Sequence, residues 1–171
     1  KIHVTAVDIA EWDDVVGALV QSFKSDTNFG AGARFDADFW KADILGPGVA
    51  EEVITPDTRL VTLCFTTNEL YTQSRADTTR FLLGLGERLQ PGALLLVVES
   101  AGSYSTVKVG EKVFDMGLLL EHTLLRAGEG KSNWEMTDKR DSQWFRLPEE
   151  IKFPLQLEDA RVMVRVFRRT R

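Results

Sequence analysis

Several apolar runs in this sequence end on side chains that can bind a ligand or move a proton. Ile2-His3-Val4-Thr5-Ala6-Val7 closes on Asp8. An acid at the end of a strand in a nucleotide fold can accept hydrogen bonds from two ribose hydroxyls. Bonds to a charged acceptor contribute about 1.5–3 kcal/mol each. The structural alternative is a cap on the following helix. Asp43, before Gly46-Pro47-Gly48, could accept a bond from an adenine amino group, or could simply shape a turn. After the run Leu60–Phe65 come Thr66-Thr67-Asn68-Glu69. Asn68 offers both a donor and an acceptor, and Glu69 can take or orient a proton, so this pair would face the group that accepts a transferred atom. The same four residues also spell a helix start, with Thr66 or Thr67 as cap and Glu69 in the first turn. A further run, Ala93 to Val98, ends on Glu99-Ser100 and a loop holding Ser103, Tyr104 and Ser105. Tyr104 could stack on a base or hold a phosphate, against a default of surface turn chemistry. Trp144 and Arg146 pose the same choice, between a stacked base and a packed edge.

These groups need a scaffold that holds strand ends side by side. Strands are expected at 2–8, 39–44, 60–65, 93–99 and 161–167, with a short one at 143–147. Helices are expected over 13–23, 75–89 and 115–125; Asp13-Asp14 suit a helix start and Pro91-Gly92 a helix stop. Residues 24–37 read as a loop and 127–133 as a polar linker. The run at 60–65 is apolar enough to suggest a central parallel strand covered on both faces. At 161–167, Val162, Val164 and Val166 alternate with Arg161, Met163 and Arg165, as in a strand with one wet face. Strands alternating with helices predict an α/β sandwich around a mainly parallel sheet, with ligands beyond the carboxyl ends of its strands.

Composition narrows the classes. The 171 residues are enough for one domain with a sizeable core, and the 43% hydrophobic and 27% charged content is ordinary for a globular protein. No stretch approaches the roughly 18 apolar residues of a membrane span, so no membrane partner is expected. Cys64 is the single cysteine, which excludes an internal disulfide and fits a reducing compartment. With only His3 and His122 besides, no metal site is expected. The net charge of −5 argues against a generally basic nucleic-acid surface. The exception is a basic tail, Arg161, Arg165, Arg168, Arg169 and Arg171, for which a solvated edge is the commoner outcome. Gly30-Ala31-Gly32 and Gly84-Leu85-Gly86 lack the strand-then-helix context that gives a glycine-rich phosphate loop its meaning.

Val4 to Ala10, Phe65 to Tyr71, Pro91 to Ser100, Gly102 to Ser105 and Trp144 to Pro148 together resemble the fungal 25S rRNA uridine-N3 methyltransferase family. The Asn68-Glu69-Leu70-Tyr71 and Gly102-Ser103-Tyr104-Ser105 blocks are the more specific parts. The resemblance implies a Rossmann-like class I methyltransferase sandwich, with a mostly parallel sheet and an antiparallel C-terminal strand. It implies S-adenosylmethionine as cofactor, ribosomal RNA or a pre-ribosomal particle as partner, and a nuclear, nucleolar or cytoplasmic setting. Asp8 and Ile9, Asp43 and Phe65 would then contact the cofactor; Asn68 and Glu69 would face the acceptor; Ser100, Ser103, Tyr104 and Arg146 would hold the substrate. A methyltransferase for a small molecule or protein, and a non-catalytic binding module of the same shape, are the competing classes.

That family's first strand and glycine-rich cofactor loop should precede Lys1, in the middle of the sheet between the strands of Asp8 and Leu63. Without that strand several buried backbone groups would lack partners, at about 1–3 kcal/mol each. The expectation is therefore a single domain over 1–171 completed by a preceding segment or by a strand from a partner.

Overall fold

The computed structural model describes residues 2–25, 35–102, 106–109, 112–126, 132–148, 150 and 158–171. It divides into two compact units, Lys1–Val53 and Ile54–Arg171.

In the first unit, strand β1 (Ile2–Asp8) is followed by helix α1 (Asp13–Ser25), strand β2 (Phe35–Lys41) and the short helix α2 (Val49–Val53). β1 and β2 run parallel, Ile2 opposite Phe35 through to Asp8 opposite Lys41. The α1 face with the least exposure is Val16, Val20 and Phe23, and the Phe23 ring meets Phe35 at 4.8 Å between centroids. Val15 and Leu19, expected on that face, are exposed. β2 begins and ends earlier than the expected 39–44, and part of the presumed loop 24–37 is helix or strand. The stretch reads as a loop because it has no sustained period and holds Asn28, Gly30 and Gly32; in β2 itself Lys24 lies 3.2 Å from Asp36 and His3 lies 3.1 Å from Asp38. Gly30 and Gly32 lie outside the described residues.

The second unit contains strand β3 (Leu60–Cys64), helices α3 (Thr67–Gln73) and α4 (Arg75–Arg88), and strand β4 (Leu94–Ser100). These are followed by the hairpin β5 (Thr106–Val109) and β6 (Lys112–Asp115), helix α5 (Met116–Arg126), and strands β7 (Trp134–Phe145) and β8 (Ala160–Arg169). Its main sheet has the order β3-β4-β8-β7: β3 and β4 are parallel, and β8 is antiparallel to both β4 and β7. Leu95, Val97 and Glu99 of β4 stand on the same face as Phe167, Arg165 and Met163 of β8, and all six are buried. With Leu82 and Leu85 of α4 and Leu120 of α5, all fully buried, they form the core. Ser74 caps α4 by accepting from the Asp77 N–H.

Three expectations change. Among the described residues β3 pairs only with β4, with Leu63 buried and Leu60 and Cys64 exposed, where a central strand covered on both faces was expected. β8 is interior, and the face holding Met163 and Arg165, read as the wet one, is the more buried, with Arg165 only 2% exposed. The short strand expected at 143–147 is the end of the 12-residue β7.

Candidate functional site

In the first unit, parallel pairing brings two acids to neighbouring chain ends. The Ala42 N–H donates to the Asp8 carbonyl at 2.9 Å, extending the β1–β2 ladder, and Asp43 follows in the turn. Asp8 Oδ1 accepts the Ala10 N–H at 2.7 Å, and Asp43 Oδ1 accepts the Leu45 N–H at 2.9 Å. Each carboxylate is therefore oriented by a backbone donor two residues on. Asp8 does not cap α1: the first helical bond there runs from Val16 to the Trp12 carbonyl. Ile9 next to it is 71% exposed.

In the second unit, the turn from β3 into α3 passes through Phe65, whose φ of 57° is left-handed, a conformation that costs a non-glycine residue free energy. Its N–H is held by the Val98 carbonyl at 2.8 Å, and the residue is 47% exposed. The N-cap residue of α3 is Thr66, but its hydroxyl donates back to the Cys64 carbonyl and does not cap the helix. Glu99 takes that role. Its Oε2 accepts both the Thr67 hydroxyl and the Asn68 N–H at 2.8 Å, and the residue is only 3% exposed. A negative charge at a helix N-terminus is favourable, the more so when partly buried. This buried carboxylate fixes the turn carrying Asn68, half-buried, and Glu69, exposed. Although Cys64 is exposed as a residue, partial desolvation of its thiol, and then the negative charge of Glu99, push that thiol above its ordinary pKa.

Beyond the end of β4 lies a cleft of about 360 Å³ lined by Ser100, Gly102, Asp115, Leu118, Lys139, Asp141, Met163 and Arg165. At its floor the Arg165 guanidinium donates to Glu121 at 2.9 Å, to the carbonyls of Arg140 and Val164 at 3.0 Å each, and to Asp141. Lys139 reaches Glu121 at 2.8 Å. The lining mixes cations, carboxylates and a hydroxyl, which suits a small polar group that both donates and accepts hydrogen bonds. Gly117 belongs to this arrangement: a Cβ there would lie 2.6 Å from Arg165 Nη2 and 3.0 Å from Asp115 Oδ1. Alanine normally stabilises a helix over glycine by about 1 kcal/mol. Here Gly117→Ala is expected to cost about 1–2 kcal/mol instead, as overpacking does. A denaturant unfolding midpoint at or above wild type would contradict this.

Of the substrate-side residues expected from the sequence, Ser100 lines the cleft, Arg146 is exposed beyond β7, and Ser103 and Tyr104 lie outside the described residues. Trp144, for which a stacked base and a packed edge were the alternatives, is 51% exposed. Sequence reasoning gave no role to Glu99, although an acid closing a wholly apolar strand was the available signal.

A family model described as "Putative SAM-dependent methyltransferase" matches residues 1–168. The chain belongs to this family. A curated relative, the 25S rRNA (uridine(2843)-N(3))-methyltransferase of Saccharomyces cerevisiae, is 33% identical over 173 residues, covering 98% of this chain and 47% of the relative. The chain thus spans about half the length of that enzyme. Among solved structures, a SAM-dependent methyltransferase from Methanosarcina mazei aligns with a TM-score of 0.58 at 11% identity, over 98% of this chain and 82% of that one. The N-methyltransferase NodS from Bradyrhizobium japonicum WM9 aligns with a TM-score of 0.53 at 12% identity, over 98% and 73%. The fold is that of the class I methyltransferases, as the sequence led one to expect.

Proposed function

We propose that the protein transfers a methyl group from S-adenosylmethionine to N3 of a uridine in large-subunit ribosomal RNA. The observation that carries this reading is the 33% identity, across 98% of the chain, to an enzyme named for that reaction. When bound, S-adenosylmethionine supplies a sulfonium methyl group, which the N3 lone pair takes as the S–CH3 bonding pair withdraws to sulfur.

The chain's own residues fit that cofactor. Asp8 is an exposed carboxylate at a parallel strand end, already oriented by Ala10, as a ribose diol requires. Asp43 at the adjacent strand end suits the adenine amino group, and Ile9 and Phe65 offer exposed apolar surface. On the acceptor side, Asn68 orients the uracil and Glu69, directly or through a water, takes the N3 proton. Ser100, Ser103, Tyr104 and Arg146 hold the substrate. Most of the rate gain then comes from positioning the two reactants. The partner is ribosomal RNA or a pre-ribosomal particle, which places the protein in the nucleus, nucleolus or cytoplasm.

The test is to incubate the complete protein with isotopically labelled S-adenosylmethionine and large-subunit RNA, then digest to nucleosides and identify the product by mass spectrometry. 3-Methyluridine is expected. Glu69→Gln should slow its formation and change the pH profile; full activity of that variant across pH removes Glu69 from the mechanism. Label appearing only in a small molecule or protein would move the substrate class, a reading the net charge of −5 favours.

A further inference from the structure

We propose that the outer ribbon of β7 and β8 is an RNA-holding platform, on which a base flanking the acceptor uridine stacks on Trp144 beside Arg146 and Arg161. The inference rests on the RNA reading above and adds to it where the RNA is gripped.

The register of β7 against β8 decides which side chains share a face. Lys139 pairs with Arg165, Arg140 with Val164, then Gln143 with Val162 and Trp144 with Arg161. Between the second and third of these pairs β7 contains one extra residue, a β-bulge. An extra residue exchanges the two faces of a strand, because side chains alternate. Arg161, Met163 and Arg165 occupy alternate positions of β8 and so share a face. Directly opposite residues also share a face, so Lys139 and, beyond the bulge, Trp144 both stand on it. Without the bulge Trp144 would point the other way. Met163, Arg165 and Lys139 line the polar cleft. The aromatic platform and the cleft are therefore successive parts of one sheet face.

The platform has the chemistry of a single-stranded nucleic-acid contact. Trp144 is 51% exposed, and the Arg146 guanidinium lies 5.7 Å from its ring centroid. Opposite Trp144, Arg161 is exposed, and its Nε is anchored to the Ser142 hydroxyl at 2.6 Å. An exposed tryptophan flanked by arginines offers a stacking surface for any base and cations for its phosphate. The cleft that follows mixes donors and acceptors, as the polar groups of a neighbouring nucleotide require.

The experiment measures binding of a fluorescent oligouridine to the complete protein by anisotropy, the KM for large-subunit RNA, and calorimetric binding of S-adenosylhomocysteine as a control on folding. Trp144→Ala is expected to weaken RNA binding and raise the RNA KM about tenfold. Trp144→Phe should restore most of the affinity. Arg161→Gln should reduce the slope of log affinity against log salt by about one. S-Adenosylhomocysteine affinity should not change in any variant. Wild-type protein that binds RNA, with Trp144→Ala and Arg161→Gln equally tight, overturns the platform and leaves this surface to a protein partner. Wild-type protein that binds S-adenosylhomocysteine but no RNA overturns the RNA reading itself.

Discussion

Arg165→Met is expected to lower the stability of the protein by about 3–5 kcal/mol, as breaking a buried ion pair does. Arg165 is 2% exposed and is the largest fully buried side chain among the described residues. Its contribution does not come evenly from its partners. Asp141 is 72% exposed, so that pair is screened by water and adds little. Glu121 is only 18% exposed, and the carbonyls of Arg140 and Val164 each lose a charged donor. Methionine matches the guanidinium stem in volume but leaves these acceptors unsatisfied. Lys139, which also reaches Glu121, limits the loss and cannot replace the planar donor set. The double variant Arg165→Met with Glu121→Gln should recover part of the loss, because it removes the stranded charge. Urea unfolding with an unchanged slope gives the numbers. A loss below about 1 kcal/mol, far under the range for a broken buried pair, would show that the network is incidental.

The second large effect is at Glu99. Glu99→Ala should cost about 3 kcal/mol, since two hydrogen bonds to a buried charged acceptor disappear together. The Thr67 hydroxyl, fully buried, is left without its acceptor, as is the Asn68 N–H. Glu99→Gln keeps one acceptor oxygen and should lose about half as much. If Asn68 and Glu69 act on the acceptor, Glu99→Ala must also reduce kcat under conditions where the protein remains folded, because it loosens the turn that presents them. Stability measured by denaturant and kcat measured well below the unfolding midpoint separate the two. Wild-type kcat in a destabilised Glu99→Ala variant would disconnect this turn from the chemistry.

The parts of the fold that were legible in the sequence are those governed by local pattern. β1, β3 and β4 announce themselves as apolar runs, and α4 by its period and by Pro91-Gly92 beyond its end. Asp8, Asp43 and Asn68-Glu69, the proposed site residues, were singled out on the same kind of signal, as polar residues where apolar runs stop. What was not legible depends on partners distant in sequence. The buried face of β8 was inverted because Arg165 is neutralised by Glu121 and Asp141, 44 and 24 residues away. The role of Glu99 depends on donors 32 and 31 residues earlier. β7 was cut short because Thr137-Asp138-Lys139-Arg140-Asp141-Ser142 carries no alternation. As an edge strand with two register shifts it is held mainly by backbone pairing with β8, for which side-chain pattern is a poor guide.

The central proposal, that the chain binds S-adenosylmethionine for methyl transfer with Asp8 holding the cofactor, is tested most directly by titrating S-adenosylhomocysteine into the complete protein in a calorimeter, with Asp8→Ala alongside. Saturable binding is predicted for the wild type, weakened at least about tenfold in Asp8→Ala as hydrogen bonds to a charged acceptor are lost. A well-folded wild type that releases no heat and shows no binding, or an Asp8→Ala variant that binds as tightly as wild type, would contradict it.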